Sequence, residues 1–146
     1  PMEVLQLEFI RKVMDMGITT IALGGGGIPV IKNEDGSIEG SEAVIDKDRS
    51  SALLAANLGV DLFIISTDAD QVYVDYKKPT QRGLLHTTTE ELQAFYDEGQ
   101  FPAGSMGPKV ESVIKFIKNG GKHAIITSFE CLPEALEEKA GTHLTK

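Results

Sequence analysis

A chain of 146 residues, 41% hydrophobic and 25% charged, has the balance of an ordinary globular protein, with length for one sizeable core but hardly for two. Its net charge of −8 argues against nucleic acid and anionic membranes as partners, and no apolar run approaches a membrane span. The single Cys131 cannot form an internal disulfide and points to a reducing cytoplasm; the acidic, amphipathic Pro1–Asp15 does not read as a signal peptide.

Taken in chain order, Glu3–Met16 carries Val4, Leu5, Leu7, Phe9, Ile10, Val13 and Met14 at helical spacing, with Gly17 as its stop. Ile18–Leu23 is β-branched and apolar and is expected as a buried strand running into Gly24–Gly27. Ile28–Ile31 and Ala43–Ile45 flank the turn-rich Asn33–Ser41, which reads as a hairpin or excursion. Asp48–Leu58 is expected as a helix capped by Asp48 and stopped by Gly59. Asp61–Ser66 is a second buried strand and Val72–Val74 a short one. Thr88-x-x-Glu91 is a capping box opening a helix through about Asp97. Pro108–Asn119 is another helix, with Pro108 in its first turn and Gly120–Gly121 beyond its end. Ala124–Thr127 is a third apolar strand, followed by a short helix from Pro133 and a last strand at Thr142–Thr145. Apolar strands separated by helices imply an α/β fold, a mostly parallel sheet covered by helices on both faces. Ligands of such sheets sit beyond the carboxyl ends of the strands, which directs attention to Gly24–Gly27, Thr67–Asp70 and Thr127–Ser128.

Four glycines directly after a strand let backbone approach a ligand and expose amides to an anion, or else permit crowded packing. No Gly-Lys-Ser/Thr follows them, so this is not a Walker loop. Lys47 lies beside a helix N-terminus, where a cation meets the positive end of the dipole. It either swings into solvent or shares an anion with the helix amides. Lys109, after Ser105-Met106-Gly107-Pro108, repeats the anomaly, and two such lysines at the ligand edge of a sheet suggest function. Thr67, Asp68 and Asp70 close a buried strand; their carboxylates could bind metal, accept from a ribose or simply end the strand. Tyr73 and Met106 could contact a base or serve packing. His86, His123 and His143 match no zinc spacing, and Cys131 has no catalytic histidine motif beside it. No G-x-S-x-G elbow is present, which leaves hydrolase readings far behind.

Five segments, in order, resemble the carbamate kinases of the amino-acid-kinase family: Gly24–Val30 (GGGGIPV), Ala43–Asp48 (AVIDKD), Thr67–Tyr73 (TDADQVY), Phe101–Lys109 (FPAGSMGPK) and Ala124–Ser128 (AIITS). The resemblance spans essentially the whole chain. It implies the nucleotide-binding half of a kinase catalysing ATP + carbamate ⇌ ADP + carbamoyl phosphate, with Mg²⁺ on the ATP or ADP, in a cytoplasmic homodimer of arginine breakdown. It assigns phosphate contacts to Lys47 and Lys109, with Asp46 organising them. Thr67, Asp68, Asp70, Tyr73, Ser105, Met106, Gly107 and Pro108 fall in its nucleotide pocket, and Gly24, Gly25, Gly26 and Gly27 near the acceptor. Phosphoryl transfer needs positioning and charge stabilisation, which two lysines suit. The chain begins where the family is past its middle, so a single domain, the C-terminal half of a longer kinase, is expected, with the N-terminal half as partner. Other family members, acetylglutamate or aspartate kinases, and a non-catalytic nucleotide-binding module are the alternatives.

Overall fold

The computed structural model describes residues 1–146. In chain order it contains α1 (Leu7–Asp15), β1 (Val30–Lys32), β2 (Ile38–Gly40), α2 (Lys47–Leu58), β3 (Leu62–Thr67), β4 (Val72–Val74), β5 (Arg82–Leu84), β6 (His86–Thr88), α3 (Thr89–Asp97), α4 (Met106–Lys118), β7 (His123–Ser128), α5 (Leu132–Leu136) and β8 (Thr142–Thr145). Four strands form the central sheet in the order β3-β7-β8-β6. The pairs β3–β7 and β6–β8 are parallel and β7–β8 is antiparallel, so the sheet is mainly parallel, as expected.

The apolar runs become the interior. Strand β7 is buried from Ala124 to Ser128, and because successive side chains alternate, both of its faces must be covered. Ala124 and Ile126 join the main core with Val110, Val113, Ile114, Phe116 and Ile117 of α4 and Ala52 and Ala55 of α2. The helix stops follow the sequence: Gly59 takes the left-handed conformation (φ +72°) beyond α2, and the Thr88/Glu91 capping box starts α3 with both of its bonds made.

Three expectations are corrected. Ile18–Leu23 is not a strand: it lies beside α1, α2 and β3, lining with them an apolar cavity of about 260 Å³, and Ile21 is 97% exposed. Apolar, β-branched composition favours a strand only where a neighbouring backbone supplies the ladder, and none pairs with this segment here. The turn-rich excursion does close a hairpin, but its strands are Val30–Lys32 and Ile38–Gly40 rather than the flanking Ala43–Ile45. The first helix is shorter than its apolar spacing suggests, running from Leu7 to Asp15. Strands β5 and β6 were not anticipated, because three residues are too few for alternation to register.

The three histidines meet on adjacent strands. The rings of His86 and His123 each lie 5.2 Å from that of His143. The Ala140 carbonyl can only accept, so His143 Nε2 carries the proton bonded to it (2.8 Å), and His143 Nδ1 accepts from His123 Nε2 at 3.0 Å. Burial, then the neighbouring His143, holds His123 below its ordinary value of 6.5, against a weaker upward pull from Glu138. A histidine whose folded pKa is depressed leaves stability intact above 6.5. As pH falls below that value the unfolded chain takes up the proton first, and stability is lost until the folded pKa is reached. The expected result is a melting temperature that falls between pH 7 and pH 5, and a shallower fall in His123→Gln; parallel slopes would contradict it.

Candidate functional site

Helix α2 leads into β3 and α4 leads into β7. Because β3 and β7 are parallel neighbours, both helices run antiparallel to them and bring their N-termini to the carboxyl end of the sheet. Thr67–Asp70 and Ser128 occupy the same end. The two anomalous lysines are therefore brought together by topology.

What joins them is a carboxylate. Asp48 Oδ1 lies 3.0 Å from Lys47 Nζ, and Asp48 Oδ2 lies 2.9 Å from Lys109 Nζ. The Asp48 and Lys109 side chains are only 9% and 15% exposed, whereas Lys47 is 54% exposed. Burial pushes the Asp48 carboxyl up, but hydrogen bonds from Lys109 and Lys47 together outweigh it and hold the group below its ordinary range. Lys47 is raised, chiefly by its bond to Asp48. At neutral pH one carboxylate thus faces two ammonium groups, and the cluster carries a net positive charge.

This corrects two expectations about the Asp46-Lys47-Asp48 run. Asp46, not Asp48, caps α2, its Oδ1 accepting from the Arg49 N–H at 2.9 Å. Asp46 is expected to organise the lysines, but the carboxylate bonded to both of them is Asp48. The signal was available in the sequence: Asp48, Ala52 and Ala55 follow the i, i+4, i+7 rule, which puts Asp48 on the buried stripe of α2.

The first turns are fixed from below. Ser50 Oγ donates to the Lys47 carbonyl at 3.2 Å and Ser112 Oγ to the Pro108 carbonyl at 2.7 Å, and both serines are buried. Arg49 binds Glu111 Oε2 through Nε (3.0 Å) and Nη2 (2.6 Å), tying α2 to α4 beside the lysine pair. Sequence reasoning missed this bridge, since its partners are 62 residues apart. At the head of α4, Ser105 makes no side-chain cap and the first turn holds no acidic residue, while the Gly107 N–H bonds to the Pro102 carbonyl at 2.8 Å. Met106 is partly buried and packs against the core.

The glycine loop reaches the same place. Gly26 is buried at φ +134°, and a Cβ on it would overlap the carbonyl oxygen of Ile45, the residue before Asp46. Crowded packing thus explains Gly26, whereas Gly24, Gly25 and Gly27 face open space. In the segment after β3, each carboxylate is engaged by a hydroxyl: Thr67 Oγ1 bonds Asp68 at 3.0 Å, and the Tyr73 hydroxyl lies 3.0 Å from both Asp70 oxygens.

The profile of the amino acid kinase family matches residues 1–128. The chain is similar to the carbamate kinase of Thermoplasma volcanium, with 50% identity over 97% of this chain and 46% of that one. It is also similar to the carbamate kinase of Pyrococcus horikoshii, with 48% identity over 97% of this chain and 45% of that one. Among solved structures, the carbamate kinase from Giardia lamblia bound to AMP-PNP superposes with a TM-score of 0.96 at 40% identity, over all of this chain and 51% of that one. The chain spans about half the length of the curated relatives it matches.

Proposed function

The chain belongs to the amino acid kinase family, and on that footing we propose that it is the nucleotide-binding domain of a carbamate kinase, working in reversible phosphoryl transfer between ATP and carbamate. The observation that carries this reading is the Asp48 carboxylate bridging Lys47 and Lys109 at two adjacent helix N-termini. A triphosphate needs fixed positive groups where charge spreads in transfer, and the two ammonium groups with the N-terminal amides supply them. Asp48 holds the lysines apart from other anions and fixes their spacing, so that little reorganisation accompanies the reaction. The more exposed Lys47 can turn from Asp48 to a phosphate, while the sequestered Lys109 acts from a fixed point.

Under this reading Thr67, Asp68, Asp70, Tyr73 and Ser105–Pro108 surround the nucleoside side, and Gly24–Gly27 lie toward the acceptor. Mg²⁺ is proposed to arrive on the phosphates, where it neutralises charge on their oxygens. Asp48 does not suit it as a ligand, because both carboxylate oxygens already face ammonium groups. The relatives' greater length supports a carbamate site completed by a further stretch of chain, on the N-terminal side by the resemblance. A cytoplasmic, homodimeric enzyme of arginine breakdown goes with the same reading.

Calorimetric titration with MgADP tests the nucleotide part. Lys47→Ala and Lys109→Ala are each expected to weaken binding roughly tenfold, the scale of one charge-assisted phosphate contact. A folded protein that binds no MgADP would refute the proposal. A complete enzyme that forms no ATP from carbamoyl phosphate and ADP, but phosphorylates acetylglutamate or aspartate, would refute its acceptor.

A further inference from the structure

Helices α2 and α4 pack side by side and run in the same direction, and two charge pairs cross between them in opposite senses. Lys109 of α4 donates to Asp48 of α2 at 2.9 Å. Arg49 of α2 donates to Glu111 of α4 through Nε at 3.0 Å and Nη2 at 2.6 Å, across 62 residues of sequence. Lys47 and Lys109 share that same offset, as do Ser50 and Ser112. The bridge therefore stands two residues beyond the phosphate-side lysine on each helix.

Apolar packing alone sets this alignment weakly. The buried residues of α2 are Asp48, Ser50, Ala52 and Ala55, a face of low relief. The ridge of Val110, Val113, Ile114 and Ile117 on α4 finds little in it to interlock with. The connections from Leu58 to Leu62 and from Lys118 to His123 are short, which bars a slip by a whole helical turn. Sliding by about 1 Å is still open to the pair, and that is the scale on which charges must be placed for catalysis.

A forked ion pair supplies what the alanine face lacks. Two N–H groups of one guanidinium converge on a single Glu111 oxygen, so displacement along either helix axis strains both bonds. Burial pushes the Glu111 carboxyl up, but bonds from Lys115 and Arg49 outweigh it and hold the group below its ordinary range. The bridge is thus ionised at neutral pH. Arg49 is exposed and Glu111 half-buried, so the pair adds little to stability; its geometry is what matters.

We propose that Arg49 and Glu111 are positioning residues that set the axial alignment of α2 against α4, and through it the separation of Lys47 and Lys109 across Asp48. The proposal rests on the phosphate-binding reading of the lysines above and adds the device that fixes their spacing.

The test is titration of the protein and its variants with MgADP, each with a melting curve. Glu111→Gln keeps the shape of the side chain and removes its charge. It is expected to weaken binding roughly fivefold with little change in melting temperature. Arg49→Lys, which keeps the charge but gives up the fork, is expected to fall between this variant and the native protein. Lys115→Ala removes the other ion pair of the same carboxylate, within α4, and is expected to bind as the native protein does. In a Lys109→Ala background, Glu111→Gln is expected to weaken binding little further, because the lysine through which the bridge acts is gone. Losses that add in the double variant, native affinity in Glu111→Gln, or an equal loss in Lys115→Ala overturn the positioning role while leaving the phosphate site standing. A native protein that binds no MgADP overturns the nucleotide reading and this proposal together. If the double variant does not fold, the contrast of Glu111→Gln with Lys115→Ala decides alone.

Discussion

Asp48→Asn is expected to cost the complete enzyme roughly a hundredfold or more in phosphoryl-transfer rate, the scale of losing one preorganised electrostatic group. The substitution keeps the shape of the side chain but leaves one acceptor for two ammonium groups that now repel each other. The native carboxylate is 9% exposed and Lys109 15%, so breaking the pair strands a largely buried cation. Stability is expected to fall by about 1–3 kcal/mol, below the cost of breaking a fully buried pair because Lys47 is over half exposed and screened by water. That corresponds to a melting shift of several degrees for a chain of this size. The pH dependence separates this cause from a packing defect. The folded pKa of Asp48 lies below the ordinary 3.8, so its contribution is present above 3.8 and is lost as pH falls through the folded value. The melting gap between native protein and variant is therefore expected to close in acid. A gap that stays constant from neutral pH to below pH 3, or turnover equal to native, would count against the assigned role.

Gly26→Ala is expected to destabilise the protein by about 2–4 kcal/mol, combining a side chain at an unfavourable positive φ with overpacking. The added methyl would occupy the position of the Ile45 carbonyl oxygen, so either the glycine loop or the lead-in to α2 must move. Since Asp46 and Lys47 follow directly, weaker MgADP binding is expected alongside the lower melting temperature. Gly25→Ala is the matched control, for nothing lies within 4 Å of its Cβ and its φ is not positive. Equal behaviour of the two variants in melting and titration would show that the Gly26–Ile45 contact does not set the lysine's position.

Much of the architecture could be read from the chain because its signals were local. Gly59, the Thr88/Glu91 box and the apolar runs of β3 and β7 each specify their own element, and the fold agrees with them. Ile18–Leu23 could not be read this way, since a strand is a property of two backbones and composition describes one. The site was legible to the same degree. Lys47 and Lys109 stand out as cations at helix N-termini, whereas the carboxylate that bonds both, Asp48, does not stand out beside Asp46. In a run of Asp-Lys-Asp either acid could cap the helix, and only the helical phase shared with Ala52 and Ala55 turns Asp48 inward.

Pairing two helix N-termini at one end of the sheet also bears on how a ligand arrives. The chain carries a net charge of −8, and over most of its surface an approaching polyanion is repelled. At the carboxyl edge, two positive dipole ends and the two lysines on Asp48 supply local positive charge. Under the proposed function, that local charge favours the approach of a nucleotide's phosphates to this end of the sheet. Its association rate, more than its residence time, is what added salt would diminish.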